Sequence, residues 1–158
     1  MKKHHFAILC LLLIASCIKE PNLDNGPNTF SFKTGSFTLV GHKYTATYAV
    51  NDTTYALSAV LIPADSSSLN INIAGNYYAN AENYTVGKTG THNTVLTSTY
   101  NSNGIIYSST GGNLLVTTLD SVKQTISGTF QFSYMNTGAP FDTFLISNGK
   151  LSTLSYTK

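Results

Sequence analysis

The chain has 158 residues, with nine lysines, seven acidic residues and no arginine. Charged residues make up 10% of it, well under the roughly 25% usual in soluble domains, and 22 Thr, 17 Ser and 15 Asn stand in their place. No nucleic-acid partner is expected, because such a partner requires a basic, Arg-bearing face.

The first element is an address. Lys2, Lys3, His4 and His5 form a basic start, and Phe6 to Ile14 is an unbroken apolar run of nine residues. A membrane-spanning helix needs about 20 such residues, so the run fits the core of a signal peptide instead. Ile14-Ala15-Ser16-Cys17 resembles a lipobox, in which small residues fit the peptidase and the cysteine thiol receives a diacylglycerol. Residues 1–16 are therefore read as a lipoprotein signal peptide and Cys17 as the lipidated residue. Cys10 leaves with the signal, so a second thiol for a disulfide is not expected. Each buried methylene contributes about 0.8 kcal/mol, and two chains hold where one does not. Cleavage removes two lysines and leaves seven against seven acids, a formal charge of zero.

Residues 17–29, the lipidated cysteine and then IKEPNLDNGPNT, read as a flexible tether, since Pro21, Gly26 and Pro27 stand among Asn and Asp. The twelve residues after Cys17 reach about 40 Å when extended. Residues 30–158 are expected to form a single β domain, large enough for its own core. Ten Tyr, eight Phe and many β-branched residues favour strands, and no helical periodicity competes with the alternation. Tyr44, Ala46, Tyr48 and Val50 share one face, and Asn51-Asp52 supplies a turn. Tyr55–Ile62 runs up to Pro63, and Leu69, Ile71 and Ile73 alternate up to Gly75. Residues 76–93 are looser, with one short strand at Tyr84–Val86. Val95–Tyr100 leads into Asn103-Gly104, a strong hairpin signal. Ile105–Ser108 and Leu114–Leu119 are separated by Gly111-Gly112, read as a turn. Asp120–Lys123 turns the chain into Ile126–Met135, and Asn148-Gly149 is a turn or a bulge between Phe144–Ser147 and Leu151–Tyr156. Short links force antiparallel neighbours. The expectation is an all-β antiparallel meander of nine or ten strands forming a β-sandwich, with a closed or partly open β-barrel as the alternative.

Three segments carry a resemblance: Gly112-Asn-Leu-Leu-Val-Thr-Thr-Leu-Asp120, Ile126-Ser-Gly-Thr-Phe-Gln-Phe132 and Ile146-Ser-Asn-Gly-Lys-Leu151. Together with the lipobox and the opening Phe37–Ala46 they resemble a family of small all-β lipoproteins of Bacteroidota, over about residues 37–151. That family is classed as of unknown function. The resemblance implies an all-β fold and an outer-membrane address, on the periplasmic face or the cell surface, and carries over no catalytic residue. Leu151 stands where the family has an aromatic.

Candidate sites are few. His42 and His92 lie at turns without the spacing of a metal motif, and no Gly-x-Ser-x-Gly elbow occurs. Asp52, Asp65, Asp120 and Asp142 fall at strand ends, where Asp caps turns. Neither catalytic residues, metal nor cofactor is therefore expected. Tyr77, Tyr78, Tyr84, Tyr100 and Tyr107 gather around the loosest loop and the following hairpin as binding candidates, because exposed Tyr suits recognition; the competing reading places them in half-buried strand positions. Thr53 in Asp52-Thr-Thr54 and Ser121 in Asp120-Ser-Val122 match a short O-glycosylation pattern of Bacteroidota. The expected protein is a lipid-anchored envelope protein, held on the membrane through Cys17, that binds an envelope protein or a glycan without catalysis. A lipocalin-like carrier of an apolar ligand and a hydrolase are the alternatives.

Overall fold

A computed structural model of the chain describes residues 26–76, 78–136, 138 and 141–158. The expected signal peptide, Cys17 and Tyr77 lie outside the described residues. Ten strands follow in order: β1 (Thr29–Thr34), β2 (Phe37–Gly41), β3 (Lys43–Val50), β4 (Thr54–Ile62), β5 (Ser68–Asn76), β6 (Asn83–Thr85), β7 (Val95–Ser102), β8 (Ile105–Asp120), β9 (Thr125–Asn136) and β10 (Thr143–Ser155). The protein is all-β and antiparallel between strands. One sheet runs β2-β1-β10-β9-β8-β7-β5-β4-β3, and β6 pairs with β8 off that path.

The two ends of this order, β2 and β3, are separated in the chain by His42 alone. Sheet curl therefore brings its first and last strands together, and the sheet is barrel-like and nearly closed. A second link crosses the same seam. Beyond β10, the Thr157 carbonyl accepts from Tyr48 N at 2.7 Å, and Thr157 N donates to the Ala46 carbonyl at 3.0 Å. Unpaired strand edges are open to adventitious pairing, and the seam leaves little of them.

Alternation decides which side chains fill the interior. On β9, Ile126, Gly128, Phe130, Phe132 and Tyr134 are buried while Thr129, Gln131 and Ser133 face out, as the period of two predicts. Phe30 and Phe32 of β1 join them and are fully buried. Their rings form a continuous column: Phe32 lies 6.2 Å from Phe130, Phe130 stacks on Phe132 at 5.6 Å, and Tyr134 stacks on Phe144 at 5.1 Å. Tyr107 meets Phe144 edge-on at 4.8 Å near one end. Offset and edge-on contacts of this kind contribute about 0.5–1.5 kcal/mol each beyond area burial.

Two glycine-bearing dipeptides behave differently from ordinary turns. Gly111-Gly112 is not the expected turn: β8 runs on through it, with a register shift between Ser109 and Gly111. The reason is β9, which lies opposite as one uninterrupted strand and holds both halves of β8 in one ladder. At Asn148-Gly149 the bulge reading holds, since the register of β10 against β9 shifts between Ile146 and Gly149. Asn103-Gly104 is a two-residue hairpin turn with φ of 52° and 80°, the left-handed pair that such turns require.

Candidate functional site

The predicted site residues separate sharply in their surroundings. Thr53 and Ser121 are exposed in the β3–β4 and β8–β9 turns. Asp120 fixes the second turn, its Oδ1 accepting from Val122 N at 2.9 Å and Lys123 N at 2.8 Å. The Lys123 N–H, with the Val122 N–H and the Lys123 charge, holds the Asp120 carboxyl below its ordinary range against an opposing desolvation. Asp52, Asp65 and Asp142 are exposed, as are His42 and His92. Among the described residues no group of three or more His, Cys, Asp or Glu stands close enough to hold a metal ion.

The tyrosines divide. Tyr84 and Tyr100 are buried and belong to the core, so they present no ring to a ligand, a correction to their expected place on a recognition surface. Strand register points them inward, as the competing reading had it. Tyr107 is half-buried, its hydroxyl 3.5 Å from Asp142 Oδ2. Tyr78 is 58% exposed, and its ring lies 6.1 Å from that of His92.

The loop after β5, which reads as loose from composition, is stitched to the barrel by hydroxyls. Ala79 N donates to Tyr48 OH at 3.1 Å, and Tyr84 OH both donates to the Asn80 carbonyl at 2.7 Å and accepts from Asn80 N at 3.0 Å. Tyr55 OH and Thr94 Oγ1 share a hydrogen bond of 3.0 Å. Strand β6 then wedges beside β8, with Val86 N donating to the Gly112 carbonyl and Val116 N to the Glu82 carbonyl, each at 3.0 Å.

Burial raises the hydroxyl pKa of Tyr134, Tyr84, Tyr55 and Tyr156. Hydrogen bonds from Ser98 and Thr94 at Tyr134 and Tyr55, and from the Asn80 backbone at Tyr84, offset this only in part. Each phenol thus holds its proton more tightly folded than unfolded. Their contribution is intact below the unfolded value of about 10 and declines as pH rises above it. Guanidinium midpoints measured across this range should be level below about pH 10 and fall beyond it, with the tyrosinate absorbance of the buried rings appearing only as the protein unfolds. Tyrosinate appearing in full while the fold persists would contradict the burial.

The loop frames a cleft on the outer face. Ala49, Ala56, Ala74 and Val95 stand opposite one another across β3, β4, β5 and β7 in a single register row. With Asn51, Thr54, Asn76 and Asn93 at its mouth they line a cleft of about 470 Å3, with no charged residue in its wall. The side-chain amides of Asn28, Asn70, Asn72, Asn83, Asn113 and Asn136 are engaged within the protein. Those of Asn51, Asn76 and Asn93, like those of Asn80, Asn101, Asn103 and Asn148, make no side-chain hydrogen bond to another described residue, and the first three line this cleft. A second concavity, over β8–β10, differs in carrying a charge, Lys150, in its wall beside Asn148 and Asn113, whose amide donates to Asn83 at 3.1 Å. The sequence signal for the cleft was weak, since its residues come from four strands and a loop.

Comparison with protein-family models, with curated proteins and with solved structures finds no match to this chain.

Proposed function

We propose that the chain is a lipid-anchored protein of the cell envelope, held on the outer membrane through Cys17, whose β domain is a non-catalytic binding module. The anchor reading rests on the basic start, the nine-residue apolar run and Ile14-Ala15-Ser16-Cys17. The point where the tether meets the domain supports it physically. Asn28 N donates to the Thr153 carbonyl at 3.3 Å, and Asn28 Oδ1 accepts from Tyr44 OH at 2.8 Å and Ser155 Oγ at 3.0 Å. A pull on the tether therefore acts on a fastened strand.

The observation that carries the binding reading is the uncharged cleft onto which three side-chain amides open, unmatched among the described residues. Hydrogen-bonding groups held at a strand end and in the turns beside it are suited to pair with a ligand. A carrier of apolar ligands needs a vacant lumen, and here rings from four strands fill the axis, which favours the module over the carrier. The partner is an envelope protein or a glycan, met on the periplasmic face or at the cell surface.

Two measurements test the halves of this reading. Cys17→Ser should abolish incorporation of a labelled fatty acid and move the protein from the detergent phase to the aqueous phase. A wild-type chain that takes up no label and partitions into water would refute the anchor. The mature protein immobilised by its N-terminus should retain an envelope polysaccharide or protein; retention of neither above bare resin would refute the module.

A further inference from the structure

We infer that the outer cleft between Asn51, Asn76 and Asn93 is a subsite for an uncharged oligosaccharide. This deepens the binding-module reading and rests on it. The first ground is electrostatic. None of the ten lining residues carries a charge, so an ionised ligand would lose hydration with nothing opposite to compensate it.

The second ground is hydrogen-bonding type. An amide side chain offers donors and an acceptor together, and Thr54 adds a hydroxyl of both kinds. A sugar ring bears neighbouring hydroxyls that each donate and accept, and such a ligand satisfies all four side chains without charge.

The third ground is shape. The row of three Ala and one Val crosses four strands, a floor about 14 Å long at the usual strand spacing. Methyl-sized side chains let the C–H face of a ring approach the sheet closely. Farther along the chain from Asn76, and next to Asn93, stand Tyr78 and His92. The exposed Tyr78 ring packs on His92, which makes a steadied aromatic face on which a further ring stacks. The sheet and the loop bonds to Tyr48, Tyr55 and Tyr84 hold the arrangement before any ligand arrives, so little ordering accompanies binding.

The test uses the mature lipidated protein in detergent micelles and calorimetric titration with defined hexasaccharides: laminarihexaose, mannohexaose, xylohexaose and chitohexaose, with hexagalacturonate as the charged comparison. At least one neutral probe should bind, and the galacturonate should bind at least about tenfold more weakly. Ala74→Trp fills the floor and should abolish binding. Asn76→Ala removes one amide and should weaken it about tenfold, and Asn51→Ala, at an exposed turn position, should act likewise without threatening the fold. Failure of every neutral probe, equal affinity for galacturonate, or unchanged affinity in correctly folded Ala74→Trp and Asn51→Ala overturns the inference. If the immobilised protein retains an envelope protein while no hexasaccharide binds, the module stands and the glycan subsite falls. If it retains nothing and no sugar binds, both fall.

Discussion

Phe132→Ala is expected to remove about 3–5 kcal/mol of stability, the usual cost of deleting a buried phenyl ring. Phe132 is fully buried. Its ring stacks on Phe130 at 5.6 Å and meets Tyr134 edge-on at 6.0 Å. Its cross-strand neighbours are Gly112 on β8 and Ile146 on β10. Glycine has no side chain with which to fill the vacated space, and Ile146 is itself fully buried. The hole therefore persists, and the cavity part of the cost applies in full. Domains of this size are stable by roughly 5–15 kcal/mol, so the variant sits near the limit of folding. Guanidinium titration should show a lower midpoint with an unchanged slope. A loss under about 1 kcal/mol would mean that the column repacks freely, contrary to the close ring contacts.

The second large effect is expected at the glycine facing that ring. Gly112 has φ of 117°, a conformation that L side chains rarely adopt. A Cβ there would overlap the Gln131 carbonyl and the Phe132 Cα. Both are backbone atoms of β9, and β9 is tied into ladders on either side, so neither can yield locally. Gly112→Ala combines a backbone penalty of about 1–3 kcal/mol with an overpacking cost of about 1–3 kcal/mol. Gly111 is the matched control, because a Cβ there meets nothing within 4 Å. Gly111→Ala should stay within about 1 kcal/mol of the wild type. Thermal or guanidinium unfolding of the two variants decides the matter, and equal effects at both positions would show that the bulge is not pinned by β9.

The strands of the C-terminal half were legible because their signals are local. The run from Ile126 to Tyr134 alternates without a break and is observed buried and exposed by turns. Asn103-Gly104 names its own turn through the left-handed conformations that Asn and Gly accept. Gly111-Gly112 was misread because two glycines satisfy a turn and a bulge equally. Only the opposite strand decides between them, and that strand begins more than ten residues later. Tyr84 and Tyr100 admit both a surface and a buried reading for a related reason. Tyrosine is chemically at home on either face, and the side it takes follows from register. The cleft could not be read at all from spacing, since its row depends on three pairings, Ala49 with Ala56, Ala56 with Ala74 and Ala74 with Val95.

The closing of the sheet also has a consequence in time. Strand β1 has Thr29 opposite Ser152 on β10, whereas β3 pairs with β4 and β4 with β5, each the next strand along the chain. Loop-closure entropy must be overcome before so distant a pairing returns any free energy, and folds dominated by such contacts form in milliseconds to seconds, not microseconds. The meander from β3 onward can assemble while β1 is still free, with Phe30 and Phe32 in water until it docks. The seam is then the last part of the domain to form, and the interval before it forms is when an exposed edge is open to a neighbouring chain.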